Sequence, residues 1–276
     1  RRWIEVRGLT GPDADAIAEE VLASVRAVPG VTDAVVTETH ALVCFDPRSP
    51  PARLPALDAV RRDQRRSYVD RLETTIEAHI LPTAAVREAT GIPGLSVKAA
   101  VLCRDKPQMK EHLRAHGIPC AASDGIDSVD AAVAFVRQHG YPIIIKPRAG
   151  AGASGTSRCD NDGQLAAALK EAGVDRGQSV AIEEFIEGHE GFYDTMSVNG
   201  VPVMEFVSHY YPNVLDAMRN RWISPYIVST NRLDASGYDA LKDLGRKVIT
   251  TMGLGTTATH MEWFYGPKGL KFSEID

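Results

Sequence analysis

The chain has 276 residues and a formal charge of −5, which is length for about two domains of roughly 150 residues each. Its 44% hydrophobic and 24% charged residues are those of a globular protein, and the acidic balance excludes the broad basic footprint of a nucleic-acid binder. No apolar run approaches the ~18–20 residues that span a bilayer, and four cysteines (Cys44, Cys103, Cys120, Cys159) with no CxxC suggest neither a zinc site nor a disulfide framework.

Those cysteines fit a reducing, cytoplasmic setting. The opening residues RRWIEVRG lack the apolar stretch of a secretory signal. With no initiator Met, and with Asp276 directly after an apparent strand, the chain reads as a fragment of a longer protein.

Residues 3–7 alternate as a strand does, and Gly8 to Pro12 form a turn. Ile17, Val21, Val25 and Val28 then fall on one face of a helix that Pro29 and Gly30 stop. Two strands follow, 34–39 and 41–45. Residues 26–47 resemble ferredoxin-like heavy-metal-associated modules. Those modules hold metal through a CxxC, and here the corresponding loop is Gly11, Pro12, Asp13, Ala14, so only the fold is expected to carry over. An irregular α/β appendage explains the same pattern equally well.

Pro-rich residues 49–55 read as a linker and 56–66 as a charged helix whose arginines face solvent. Residues 68–94 suggest a strand, a loop with Glu77 and His79, and a helix ending at Gly91. Lys106 opens the next helix, with Asp105 as its cap, Pro107 in its first turn and Gly117 at its end. A cation gains nothing from a helix N-terminus, so Lys106 is either simply exposed or placed against an anion. Residues 116–123 read as a strand, and Ser128 caps a helix with Val129, Ala132, Val133 and Val136 on one face.

The stretch 141–158, YPIIIKPRAGAGASGTSR, is the centre of the chain. Ile143, Ile144 and Ile145 form a short buried strand ending at Lys146. A loop with Gly150, Gly152 and Gly155 follows, whose backbone N–H groups and the hydroxyls of Ser154, Thr156 and Ser157 suit phosphates. It matches neither a P-loop nor a Rossmann fingerprint, and a plain hairpin connection stays open.

Beyond it come a short helix at 165–169, a strand at 179–185 carrying Glu183 and Glu184, and a hairpin turning at Asn199-Gly200. Aromatic and polar residues 209–230 read as a substrate-facing loop. Ser236 and Asp239 form a capping box for a helix buried through Leu241, Leu244, Val248 and Met252. The last two strands, 261–265 and 271–275, join through a five-residue loop. That register sets Phe264 opposite Phe272 and Glu262 opposite Glu274, with Cβ atoms about 4.5–5.5 Å apart. Two carboxylates so close repel unless a cation lies between them, and Mg²⁺ takes one or two carboxylates plus phosphate oxygens. An exposed charged hairpin end is the competing reading.

Lys106, Lys146 before a Gly-rich loop, EEFIEGHE at 183–190, and Glu262 with Glu274 stand in the order found in ATP-grasp enzymes. Residues 68–276 resemble that superfamily, and its carboxylate–amine ligase branch most. The resemblance implies an α+β fold in which two α+β subdomains sandwich ATP. It divides the chain into an N-terminal module (1–66), a partial pre-ATP-grasp segment (67–100) and an ATP-grasp domain (101–276) truncated at its C-terminal end. It places Lys106 and Lys146 on the phosphates, with 148–157, including Gly152, Ala153, Ser154 and Gly155, as a mobile lid. Glu183 accepts from the adenine amino group, beside Glu184 and the backbone of Phe185 and Ile186, and Glu190 holds the ribose. Glu262, Glu274 and Asp276, the last where the family usually has Asn, ligate Mg²⁺. The Arg expected two residues further on is absent, which puts catalysis in question if the protein ends there.

The implied reaction phosphorylates a carboxylate and lets an amine attack the acyl phosphate, releasing ADP and phosphate. Its cofactors are ATP and Mg²⁺, and its partners are small-molecule carboxylate and amine substrates, without nucleic acid or membrane; a homodimer is left open. Arg219, Arg221 and Arg246 are candidates to clamp the substrate carboxylate, with surface arginine as the bland reading. The alternatives are a biotin-carboxylase-like carboxylase, although no Met-Lys-Met acceptor occurs in the chain, and an ATP-binding module without turnover.

Overall fold

The computed structural model describes residues 2–7, 31–37, 40–45, 71–74, 76–149, 155–220 and 222–276. The expected helix around Ile17, the linker at 49–55 and the helix at 56–66 lie outside them, as do Gly150, Gly152, Ala153, Ser154 and Arg221. The chain divides into two compact units, Arg1–Ala100 and Val101–Asp276.

In the first unit β1 (Arg2–Arg7), β2 (Val31–Thr37), β3 (His40–Phe45) and β4 (Leu72–Glu73) form one antiparallel sheet in the order β2-β3-β1-β4. This is the strand order of a split βαβ arrangement, with β3 between β1 and β2. Strand β4 lies within 67–100 yet pairs with β1, so that segment shares a sheet with the N-terminal strands. Helix α1 (Ile80–Thr90) ends at Gly91 in the left-handed region, φ 73°. From it the buried Arg87 donates to the Leu72 carbonyl at 2.6 Å and pairs with Glu73. Helix α2 (Val97–Arg104) leads into the second unit.

The second unit holds two antiparallel sheets. Helix α3 (Lys106–Ala115) is capped by Asp105, whose side chain accepts from the Gln108 N–H. The strand expected at 116–123 forms later, as β5 (Ser123–Ile126). Helix α4 (Val129–His139) is capped by Ser128 and buries Ala132 and Phe135, whereas Val129 is exposed. With β6 (Ile143–Pro147), β7 (Ser157–Cys159), α5 (Asp162–Glu171) and β8 (Val180–Glu184), the first sheet has the order β5-β8-β6-β7. Its alternation decides the site. Ile143, Ile145, Val180 and Ile182 pack in one core with Phe135 of α4 and Leu165 and Leu169 of α5. Ile144, Lys146 and Glu183 therefore face the other way.

The second sheet contains β9 (His189–Val198), β10 (Val201–Tyr211), β11 (Tyr226–Ser229), β12 (Thr257–Gly266) and β13 (Gly269–Ile275), ordered β11-β10-β9-β12-β13. Asn199 and Gly200, with φ of 52° and 80°, make the expected tight turn between β9 and β10. Residues 209–230 are not a loop: they finish β10, form the short helix α6 (Val214–Arg219) and supply the edge strand β11. Helix α7 (Asp239–Met252) buries Leu241, Leu244, Gly245, Val248, Ile249 and Met252. The capping box is not made, because a 3₁₀ turn over Ser236–Tyr238 enters this helix and no side chain caps it.

Gly245 marks where α7 meets β9. A Cβ there would come within 2.3 Å of the ring of Tyr193, which is wholly buried and donates its hydroxyl to Glu205. Alanine has the better helix propensity by roughly 1 kcal/mol, but the ring cannot withdraw. Gly245→Ala should therefore destabilise the chain by about 1–3 kcal/mol, read as a lower urea midpoint; an unchanged or raised midpoint would contradict this packing.

Candidate active site

A cleft of about 940 Å³, including its mouth, lies between the two sheets of the second unit. Lys106, Ile144, Lys146, Pro147, Thr156, Glu183 and Glu184 line it from one side, and Glu190, Glu262, Phe264, Ser273 and Glu274 from the other. Phe185, Ile186 and residues 213–216 complete the wall. Of the sequence candidates in the described residues, the cleft gathers both lysines, Glu183 to Ile186, Glu190 and the Glu262–Glu274 pair.

Lys106 and Lys110 are one helical turn apart on α3 and point the same way. Lys106 reaches Glu274 at 3.1 Å, while Lys110, wholly buried behind the cleft, bonds Glu183 at 2.7 Å. Lys146 joins both carboxylates, at 3.0 Å to Glu183 and 3.5 Å to Glu274. Burial alone would raise the Glu183 carboxyl, but Lys110 and Lys146 hold it down at about 2. For Lys146 burial works against the charged form, and Glu183 and Glu274 outweigh it, so its ammonium is stabilised. Burial draws Lys110 below the usual lysine range, and its ion pair with Glu183 opposes that.

The Glu183 Oε2, on the carboxylate expected to accept from an adenine amino group, is shared by Lys110 and Lys146. The other oxygen, Oε1, is buried with no hydrogen-bond partner. Lys110 is the residue that sequence reasoning missed, although its spacing of four from Lys106 was visible. Glu184 is bound by Lys268, by Lys271 at 3.4 Å and by the Ala122 N–H at 3.3 Å. The Phe185 N–H goes to the Pro142 carbonyl at 3.1 Å, and its ring lies 4.3 Å from the Arg158 guanidinium.

Glu262 does stand opposite Glu274, but by another route than the sequence suggested. The turn holds two residues, Pro267 and Lys268, between Gly266 and Gly269, and Phe264 pairs with Lys271. That register alone would put Glu262 opposite Ser273. A bulge at Ser273, between the Trp263–Phe272 and Glu262–Glu274 pairs, shifts β13 by one residue and turns Glu274 into the cleft.

The acidic side is undercompensated. Burial and then the Glu262 and Glu274 charges push Glu190 up to about 8, although it accepts from the Val214 N–H at 2.6 Å. Burial raises Asp276 to about 6, helped by Glu274 and Glu262 and opposed by His260. His260 bonds Asp194 at 2.7 Å and lies 3.9 Å from Glu262. Among the described residues no group of three or more side chains is arranged to hold a metal by itself. The opposed Glu262 and Glu274, with Lys106 and Lys146 across the cleft, fit a cation that completes its shell with phosphate oxygens.

Arg246 does not reach the cleft. It is bound to Glu205 at 2.9 Å and lies near Asp243 at 3.8 Å. Arg219 donates to the Arg158 carbonyl at 3.2 Å. Arg221 and the loop residues Gly152, Ala153 and Ser154 are outside the described residues. Gly155 is described, with φ 72°.

Residues 105–192 match the family described as the carbamoyl-phosphate synthase L chain, ATP binding domain. The span covers α3, the Lys146 strand, Glu183 and Glu190. Residues 105–192 are thus similar to an ATP-grasp ATP-binding domain. It is 36% identical over 108 residues to a phosphoribosylamine–glycine ligase of Xanthomonas campestris pv. campestris, covering 37% of this chain and 25% of that protein. An L-arginine-specific L-amino acid ligase of Bacillus subtilis is 30% identical over 154 residues, covering 54% of this chain and 37% of that one. The solved L-amino acid ligase of Bacillus licheniformis superposes with a TM-score of 0.65 over 84% of this chain and 55% of its own. At 19% identity that likeness is one of fold, and it shows the ATP-grasp architecture. The chain thus spans a quarter to about half the length of these relatives.

Within this ATP-grasp cleft Glu183 is the buried hinge of charge, and its pH dependence follows. A carboxyl held down in the folded state contributes stability above its unfolded value near 4.3 and loses it as pH falls toward about 2. Glu183→Gln leaves the buried Lys110 ammonium without its counter-charge and Lys146 with Glu274 alone, and should cost about 3–5 kcal/mol at pH 7. The gap to the parent chain should narrow as the pH drops from 4.5 to 2.5, measured by urea unfolding at each pH. A gap that widens on acidification would show that Glu183 is not ionised against the lysines.

Proposed function

We propose that the chain is an ATP-dependent ligase, acting on small molecules in the cytoplasm, that joins a carboxylate to an amine through an acyl phosphate and releases ADP and phosphate. The observation that carries this reading is the meeting of Lys106 and Lys146 with the opposed Glu262 and Glu274 in one cleft between two sheets. Two of the relatives, a phosphoribosylamine–glycine ligase and an L-arginine-specific L-amino acid ligase, are named for reactions of an amino acid.

ATP with Mg²⁺ supplies the phosphoryl group and neutralises its charge. The chain's part is to position and to exclude water. Lys106 and Lys146 hold phosphate oxygens, and Glu262 and Glu274, with Asp276 beside them, hold the metal. Glu190 takes the ribose hydroxyls. The main chain at Phe185 and Ile186, with Glu184 at its edge, receives the base, and the apolar Ile144, Ile186 and Phe264 supply the faces on which it rests. Because the Phe185 N–H is already bonded, main-chain donation to the base falls to Ile186. The 148–157 loop, including Gly152, Ala153, Ser154 and Gly155, closes over the phosphates and keeps water from the acyl phosphate. Arg221 remains the proposed clamp for the substrate carboxylate.

The deciding assay measures release of ADP and phosphate across a panel of amino-acid pairs. Substrate-dependent ADP and phosphate are expected, and AMP with pyrophosphate would reject the acyl-phosphate route. Glu274→Gln keeps the size of the side chain and removes its charge, so it should lower kcat by about a hundredfold or more while the chain stays folded by circular dichroism. Full activity in that variant would mean that Glu274 holds no metal.

A further inference from the structure

Lys110 has no place in the reading above, yet it is the more completely buried partner of Glu183. Lys106 and Lys146 line the cleft; Lys110 sits behind it with no exposed surface. A buried lysine is costly unless it is paired, and this one is paired to the same carboxylate oxygen that Lys146 uses, at 2.7 Å against 3.0 Å.

The arrangement has a definite charge count. Three ammoniums, those of Lys106, Lys110 and Lys146, face two carboxylates, those of Glu183 and Glu274, in contacts of 3.5 Å or less. In these contacts Lys146 shares each carboxylate with another lysine, Glu183 with Lys110 and Glu274 with Lys106. If Lys110 were absent, Glu183 would have Lys146 as its remaining lysine partner in these contacts. The buried Oε1 of Glu183, which has no partner, shows that this carboxylate is short of donors even with both lysines present. It would take all that Lys146 offers.

We propose that Lys110 is a positioning residue for phosphate binding: by neutralising Glu183 from behind, it leaves the Lys146 ammonium in surplus and directed into the cleft. This rests on the reading that the cleft holds the phosphates of ATP. It makes Glu183 and Lys110 an ion pair that sets the charge of Lys146, with Lys110 itself behind the cleft and outside its lining.

The test is equilibrium binding of Mg·ATP and of adenosine to the intact chain by calorimetry, in four forms: the parent, Lys110→Met, Lys110→Arg, and Lys110→Met combined with Glu183→Gln. Lys110→Met should weaken ATP at least tenfold and leave adenosine unchanged, because only the phosphates feel Lys146. Lys110→Arg should stay near the parent. The double variant removes both members of the pair, frees Lys146 again, and should recover ATP binding to within about threefold of the parent, a non-additivity expected of directly coupled groups. It also leaves no unpaired buried charge, so it decides the matter even if Lys110→Met does not fold. A double variant tenfold or more weaker than the parent overturns the proposal, as does a folded Lys110→Met with parental ATP affinity. A parent chain that binds no ATP sinks the functional reading, and this inference with it. A parent that binds ATP normally beside a double variant that does not sinks the inference alone.

Discussion

One carboxylate buried between two lysines is the constraint on which this site depends. Glu183 on β8 ties Lys110 of α3 to Lys146 of β6, so the helix that carries Lys106 is fixed to the sheet that carries Lys146. The tie is possible because of strand alternation. Ile143, Ile145, Val180 and Ile182 turn toward the helices α4 and α5, and the residues between them must then face the cleft. Placing Lys146 and Glu183 on one face is thus a consequence of burying four aliphatic side chains on the other. Isolated charges in such a place would be strongly disfavoured. Together they form a network whose members compensate one another.

The opposite wall depends on an irregularity. A regular ladder from the two-residue turn at Pro267-Lys268 would put Ser273 opposite Glu262 and send Glu274 toward the buried side with Met261. The bulge at Ser273 exchanges those two positions. A bulge is a means of re-aiming a side chain at the cost of a locally broken ladder, and here it converts a core-facing position into a cleft-facing carboxylate. Burial raises the carboxyls of Glu190 and Asp276, and the charges of Glu262 and Glu274 add to it.

Much of this was legible in the sequence where local chemistry decides the structure. The Asp105 and Ser128 caps, the Asn199-Gly200 turn, the α7 face and the Lys146 strand follow from patterns of a few residues, and they form where expected. The errors arose where tertiary contacts decide. The pairing of Glu262 with Glu274 was reached through a five-residue loop that does not exist, and a shorter turn plus a bulge gives the same partners. A bulge has no sequence signature at a serine. The resemblance implies Glu183 at the adenine, and in the structure its side chain turns toward Lys110, a residue whose burial in α3 has no signature in the sequence. Arg246 was a candidate by residue type alone, and its partner Glu205 lies forty-one positions away, on β10. Residues 209–230 looked like a loop for their polar and aromatic content, whereas the Ser208–Ser229 pair and the ladder beside it make β11 an edge strand.

The two walls have opposite polarity, and this explains why Glu274 sits where it does. Lys106 and Lys146 come from α3 and β6 on one side, and Glu262, Glu274 and Glu190 from β12, β13 and β9 on the other. Glu274 is the acidic group that reaches across, and it contacts both lysines of the lining. A polyphosphate entering the cleft would compete for those two ammoniums, and a divalent cation would compete for Glu274. Each alone would strip one partner from an ion pair and leave the other unbalanced. Entering together, they substitute an anion for the carboxylate and a cation for the lysines, so that every charge keeps a counter-charge. The wall-to-wall ion pairs thus favour an anion and a cation entering together over either one alone.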